Sequence, residues 1–156
     1  RSPYWDPDLR ASFVGLSFQH GAPHICRALY EGIAYTLRDC LGVLRERGMG
    51  FGTARLVGGG TRSAMWRQII ADVTGLVLEI PAEGDASYGA ALIAGIGIGV
   101  FADTDEAARV IEVSETLRPD PAASRIYDEG FVRFRAAKDA LTSVNHDTVR
   151  AIREAR

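Results

Sequence analysis

The chain has 156 residues, of which 47% are hydrophobic and 24% are charged, as expected for one globular domain with its own core. Its 18 Lys and Arg against 20 Asp and Glu give a formal net charge of −2, which excludes the basic surface typical of a nucleic-acid binder. The longest apolar run, residues 88–101, contains four glycines and is shorter than the roughly 20 residues of a membrane span.

The two cysteines, Cys26 and Cys40, fall on one predicted helix. Their separation corresponds to about 21 Å along a helix axis, too far for a disulfide. No charged segment followed by an apolar stretch opens the chain, so no signal peptide is predicted. Reduced thiols then predict a cytoplasmic protein. The chain begins with Arg rather than Met, which indicates a fragment of a longer protein.

The first part of the chain is predicted to form a loop, a strand and a long helix. Prolines and polar residues in 2–10 predict the loop, and loose apolar alternation over 11–18 predicts the strand. Pro23 suits the first turn of a helix that ends before Gly48. The apolar stripe of that helix comprises Ile25, Leu29, Ile33, Leu37, Leu41 and Leu44.

Shorter elements alternate after this helix. Strands are predicted at 54–57 and 76–80, helices at 63–74, 88–100, 105–109 and 121–142, and a connector or edge strand at 110–117. The polar segment 143–156 is predicted to fray. The alternation predicts an α/β layered domain with parallel pairing between successive strands. The sheet is thin, which indicates that part of the domain precedes residue 1.

The glycine turn Gly58-Gly59-Gly60 between a strand and a helix is the feature that carries chemistry. Consecutive glycines let a ligand approach the backbone closely. A P-loop needs a Lys before its Ser or Thr, and none is present. A dinucleotide fingerprint needs a sixth-position glycine, where Ser63 stands, although Glu79 lies about 20 residues on, where a ribose-binding acid belongs. A tight turn without a ligand is the third reading.

Several motifs, in order, resemble the FGGY family of carbohydrate kinases. The second signature of that family resembles two segments of this chain, 11–16 and, after seven residues, 24–31. The loop before that signature resembles residues 3–7 with Arg10. Residues 58–63 with Trp66, Gln68, Ala71 and Asp72 resemble its adenosine motif. Further similarities are Gly89-Ala90-Ala91 and Pro119-Asp120-Pro121 with Tyr127. Two positions depart from the pattern: Ala11 stands where Gly is usual and Tyr88 where Leu is usual.

This resemblance implies a two-domain enzyme of the actin-like, ribonuclease H-like fold, with ATP and sugar in the cleft between the domains. Residues 1–142 would be most of the C-terminal nucleotide-binding domain, a mixed sheet with flanking helices that lacks its early strands. Gly58 and Gly59 would lie against the adenine and ribose, Gly60 would support the turn, and Ser63 would lie near the adenine. The catalytic Asp and the phosphate-binding loops would precede residue 1, so the resemblance assigns neither a catalytic nor a metal-binding residue here.

The implied reaction transfers the γ-phosphate of ATP, with Mg²⁺, to a hydroxyl of a sugar or polyol bound mainly by the N-terminal domain. The xylulokinase-like branch is favoured, although residues 3–7 also resemble glycerol kinases. A non-catalytic nucleotide-binding or assembly domain is one alternative, and a dinucleotide-binding oxidoreductase domain is another. Neither nucleic acid nor membrane is an expected partner. An unpaired strand edge would favour self-association, so a homo-oligomer is expected.

Four further side chains have local interpretations. His24 is expected to cap or pack at the start of the long helix. Arg27 and Glu31, four positions apart, are expected to form a solvated or interface ion pair. Trp66 is expected to lie in the core, because it shares helical spacing with Ile69, Ile70 and Val73.

Overall fold

The computed structural model describes residues 3–155, in which five α-helices surround a three-stranded sheet. In chain order the elements are α1 (Ala22–Glu46), β1 (Thr53–Arg55), a 3₁₀ turn (Gly59–Arg62), α2 (Ala64–Thr74), β2 (Val77–Pro81), α3 (Ala86–Gly97), α4 (Thr104–Arg109), β3 (Val113–Leu117) and α5 (Pro121–Glu154). Strands and helices thus alternate as predicted. In the described part of the chain, no helix combines the length and apolar character needed to cross a bilayer.

Helix α1 begins and ends where the sequence predicts. Pro23 occupies its first turn, and the backbone N–H of Gly21 donates to His24 Nδ1 at 3.2 Å, which confirms the capping role of His24. Gly48 follows the helix with a φ of 81°, a conformation that glycine adopts at little cost. Ala34 is the fully buried residue at the middle of α1, where the helix packs against α2.

The sheet is mixed, with the order β1-β2-β3. β1 and β2 pair in parallel, as predicted, with Arg55 opposite Glu79. β3 pairs antiparallel to β2, so the predicted parallel pairing of successive strands was wrong for this pair. The 110–117 segment contains this edge strand, and the register shifts between Ile80 and Pro81. β2 is the central strand, and the side chains of Leu78 and Ile80 are buried.

The core lies between β2 and the helices α1, α2 and α5. Helix α2 supplies half of the buried cluster, four of its eight residues. The buried cluster comprises Ala34, Ile69, Ile70, Ala71, Val73, Leu76, Leu78 and Tyr127. Trp66 packs against this cluster from its edge, which confirms that Trp66 is a core residue.

The strand predicted over residues 11–18 is absent, and this prediction was wrong. The segment is irregular, every residue in it is exposed, and Gly15 has a φ of 81°. A short turn follows, in which the His20 N–H donates to the Ser17 carbonyl at 3.0 Å. An alternating segment forms a strand only where a neighbouring strand completes its hydrogen bonds, and the described residues place none beside it.

Helix α5 continues to Glu154, so the predicted end at Thr142 and the predicted fraying after Ser143 were wrong. The N-terminal loop, residues 3–9, holds this extension. His146 Nε2 lies 2.7 Å from Asp6 Oδ2, and the Arg153 guanidinium donates two hydrogen bonds to Asp8, at 2.7 and 3.2 Å. Val149 is buried on the same helix. The polar side chains of His146 and Arg153 are therefore paired with residues 140 and 145 positions earlier in the chain.

Candidate nucleotide-binding site

The glycine turn begins two residues after β1, and its backbone requires glycine at the first position. Gly58 has φ 93° and ψ −178°, a region that residues with a Cβ rarely occupy. Its N–H donates to the Gly84 carbonyl at 3.3 Å, and its carbonyl accepts from both the N–H and the hydroxyl of Thr61, at 3.1 and 2.8 Å. These contacts connect the turn to the loop that follows β2.

The three glycines differ in what surrounds them. Gly58 and Gly59 are exposed, and a Cβ built on either meets no other atom within 4 Å. A Cβ on Gly60 would lie 2.7 Å from Cε3 of Trp66, closer than such carbons approach. The turn therefore presents an open backbone at Gly58 and Gly59 and rests on an aromatic ring at Gly60.

Ser63 links the turn to α2. Its backbone is extended, and its Oγ accepts a hydrogen bond from the Trp66 N–H at 3.3 Å, so Ser63 is the N-cap of the helix. A hydroxyl that accepts in this way still has its own proton to donate. Ser63 thus combines a structural role with a free donor at the end of the glycine turn.

The loop after β2 closes one side of the turn through Gly84. Asp85, the next residue, caps α3, because its carboxylate accepts from the Ser87 N–H at 2.8 Å. Hydrogen bonding by the side chain and backbone of Ser87 lowers the pKa of Asp85 below its ordinary value. Asp85 is therefore held ionised by a partner in its own helix.

Glu79, the acid that a dinucleotide site would use, has another partner. Its carboxylate lies 3.3 Å from Nε of Arg55, its register partner on β1. Both side chains are about one-third exposed, on one face of the sheet. Glu79 also lies inside β2, which ends at Pro81, rather than after the strand. This pairing removes the main support for the oxidoreductase interpretation.

Asp72 and Gln68, which belong to the adenosine-like motif, bind to the start of α5 instead of the turn. Asp72 is buried, and its Oδ1 accepts from Gln68 Nε2 at 2.8 Å and from the Asp120 N–H at 2.7 Å. The Gln68 amide also donates to the Arg118 carbonyl at 3.0 Å. These two side chains position α2 against α5 and leave the turn to the glycines and Ser63.

The described residues contain no group of three or more His, Cys, Asp or Glu side chains that could hold a metal ion. The exposed backbone of Gly58 and Gly59 and the hydroxyl of Ser63 offer uncharged hydrogen-bonding groups. The cysteines Cys26 and Cys40 are both free thiols.

Comparison with known proteins identifies a consistent set of relatives. Residues 1–98 match the FGGY family of carbohydrate kinases, C-terminal domain. An L-xylulose/3-keto-L-gulonate kinase of Escherichia coli strain K12 is 35% identical over 136 residues, which are 86% of this chain and 27% of that protein. A xylulose kinase of Staphylococcus epidermidis is 31% identical over 138 residues, covering 87% of this chain and 28% of that protein.

The solved structures that resemble this chain are also sugar kinases. A xylulose kinase from Lactobacillus acidophilus superposes with a TM-score of 0.86 at 26% identity, over 95% of this chain and 30% of that one. A xylulose kinase from Rhodospirillum rubrum gives a TM-score of 0.76 at 33% identity, over 90% of this chain and 29% of that one. The chain thus spans less than a third of the length of these relatives, and its fold is that of part of a sugar kinase.

Proposed function

This chain belongs to the FGGY family of carbohydrate kinases, and we propose that it is the adenosine-binding part of an enzyme that transfers the γ-phosphate of ATP to a hydroxyl of a sugar or polyol. The observation that carries the proposal is the exposed turn at Gly58 and Gly59, which stands between the parallel strand β1 and helix α2. The adenine and ribose would lie against these two glycines.

Gly60 and Ser63 complete the proposed site in different ways. Gly60 supports the turn, since its backbone rests on Trp66. The Ser63 hydroxyl would donate to an acceptor nitrogen or oxygen of the adenosine, while its lone pair caps α2. Neutral donors and open backbone suit a nucleoside, whereas a triphosphate also needs cations.

Bound ATP with Mg²⁺ supplies the reactive phosphoryl group, and this chain is proposed to hold only its adenosine end. We assign no catalytic and no metal-binding residue to the chain. Sugar, metal and phosphate contacts would come from the N-terminal domain and the segments between it and this one. Closure of the two domains would exclude water, which would otherwise compete with the sugar as acceptor.

A xylulose-like ketose is the proposed substrate class, because the similar proteins include several named xylulose kinases. The free thiols of Cys26 and Cys40 support a cytoplasmic enzyme. A non-catalytic nucleotide-binding or assembly role for this chain is the alternative. It would be favoured if nucleotide bound while the intact protein transferred no phosphate to any sugar.

A titration of the ¹⁵N-labelled chain followed by NMR tests the adenosine site. We expect adenosine and ADP to shift the amide signals of Gly58, Gly59 and Ser63, with dissociation constants on the order of 1 mM, because no phosphate or metal contacts add to the affinity. NAD⁺ should bind no more tightly than ADP. Sub-micromolar affinity for ATP, or shifts confined to other parts of the chain, would contradict the proposal.

Ser63→Ala should weaken adenosine binding by removing the donor, and Ser143→Ala is the matched control because Ser143 lies exposed on α5. Ser63→Ala also removes a helix cap worth about 1 kcal/mol, so both variants must be titrated where thermal unfolding shows them to be fully folded.

A further inference from the structure

The contact between Gly60 and the indole of Trp66 distinguishes this turn from an ordinary strand-to-helix loop. The atoms that a Cβ at Gly60 would meet all belong to the six-membered part of the indole, with Cε3 at 2.7 Å and Cη2 at 3.1 Å. No comparable contact exists at Gly58 or Gly59. One edge of one side chain therefore supports the third glycine and leaves the first two open.

The indole is itself held in place by packing against two sets of neighbours. Its ring centroid lies 5.5 Å from that of Tyr30 on α1, and the ring packs against the edge of the buried core cluster. The backbone N–H of Trp66 also donates to Oγ of Ser63, the N-cap residue of the helix, so the residue that carries the indole is fixed at the end of the turn. Nε1 is buried without a hydrogen-bond partner among the described residues. Packing, rather than a polar contact of Nε1, therefore determines where the ring sits.

We propose that Trp66 is a positioning residue of the nucleotide site, whose indole edge beneath Gly60 holds the glycine turn in the one conformation that exposes the Gly58 and Gly59 backbone. Trp66 does not touch the nucleotide in this proposal; it acts through Gly60 and Ser63. A turn of consecutive glycines is intrinsically flexible, so a rigid support reduces the ordering cost that a ligand would otherwise meet. The proposal rests on the proposed function of the turn as the adenosine site.

Trp66→Phe is the informative variant. A phenyl ring keeps an aromatic group in the core and removes the buried unpaired N–H, but it lacks the indole edge that reaches Gly60. We expect adenosine affinity, measured at a temperature where both proteins are fully folded, to fall by about five-fold or more. Backbone order at residues 58–60, measured by heteronuclear NOE on the free chain, should decrease. Trp5→Phe, at the other and 84% exposed tryptophan, is the matched control and should change neither quantity.

Gly60→Ala tests the same contact from the opposite side. The added methyl group must displace the indole, so the fluorescence of Trp66 should change in a Trp5→Phe background, in which it is the one remaining tryptophan. Gly52→Ala is the control, since a Cβ at Gly52 meets nothing within 4 Å.

The two proposals fail separately. If adenosine shifts no NMR signal of the unmodified chain, the proposed adenosine site is wrong. The backbone order of residues 58–60 in the free chain, compared between the unmodified chain and Trp66→Phe, then still tests whether Trp66 supports the turn. If adenosine binds but Trp66→Phe retains both the affinity and the order of residues 58–60, the positioning role is wrong. If Trp66→Phe lowers only the unfolding temperature, Trp66 is a core residue and nothing more.

Discussion

The guanidinium of Arg27 donates a hydrogen bond to the hydroxyl of Tyr127 at 2.9 Å, although 100 positions separate the two residues. The same hydroxyl donates to Glu31 Oε1 at 3.1 Å, and Glu31 also accepts from Arg27 Nε at 2.8 Å. The interface pair expected between Arg27 and Glu31 is thus confirmed, and it has a third member on α5. This triangle joins the amino-terminal part of α1 to the start of α5.

Tyr127→Phe should destabilise the chain by about 1 kcal/mol, because it removes two hydrogen bonds but leaves Arg27 and Glu31 paired with each other. Urea denaturation measures the change in the free energy of unfolding. Ile126→Ala, on the neighbouring residue that is 68% exposed, is the control and should cost less than about 0.5 kcal/mol. Equal losses in the two variants would mean that the triangle contributes nothing.

Gly58→Ala should lower the free energy of unfolding by about 1–3 kcal/mol, because φ 93° with ψ −178° is strained for any residue that carries a Cβ. The cause is backbone strain and not a clash, since nothing lies within 4 Å of the added carbon. Gly52→Ala, equally uncrowded and without a positive φ, is the matched control. A stable Gly58→Ala variant would show that the turn relaxes easily.

Asp8→Asn should loosen the end of α5, because Asp8 receives two hydrogen bonds from Arg153. Exposed ion pairs contribute roughly 0.2–1 kcal/mol, so amide exchange in residues 143–154 should accelerate by up to about five-fold. Asp147→Asn provides the comparison, since Asp147 pairs with Arg150 in the same helix and does not contact the N-terminal loop. Identical amide exchange in the two variants would show that the N-terminal loop does not stabilise the end of α5.

Alkaline pH should destabilise the fold through its tyrosines. Burial, followed by the hydrogen bond to Asp39, raises the pKa of Tyr4 to about 12. Burial, with the nearby negative charge of Glu31 as a secondary cause, raises the pKa of Tyr35 to about 12 as well. Because a raised pKa disfavours the ionised form in the folded state, the stabilisation is complete below about pH 10 and is lost as the pH rises through about 12.

Tyrosinate absorbance recorded beside circular dichroism should therefore show ionisation and unfolding together in this range. Tyr35→Phe, which keeps the ring among Tyr127, Phe131 and Phe134, should reduce the pH dependence of unfolding. Ionisation of all five tyrosines near pH 10 with the fold intact would contradict the prediction.

Self-association of this chain is also expected. β1 pairs only with β2 among the described residues, and Phe13, Val14, Leu16 and Phe18 are exposed in the preceding segment. Sedimentation velocity should detect dimers or larger species, and Phe13→Ser with Phe18→Ser should shift the distribution toward monomer. Ile126→Ser, at an exposed position of α5, is the control. A monomeric unmodified chain would contradict the expected homo-oligomer.

Local sequence patterns predicted most of the helices and strands and the family. Helical spacing predicts α1 and α2, glycines mark their ends, and the motif of residues 58–63 indicates the candidate site. These features depend on neighbours within a few positions along the chain, so periodicity and turn chemistry were sufficient to find them.

Contacts between residues far apart in the chain depend on the three-dimensional packing. Residues 11–18 have the pattern of a strand but no neighbouring strand among the described residues, and the far end of α5 contacts Asp6 and Asp8 of the N-terminal loop. The support that Trp66 gives to Gly60 depends on the turn folding back over the ring, at a distance that sequence spacing does not specify. Pairing, packing and charge contacts across the chain are set by three-dimensional proximity, which no local pattern encodes.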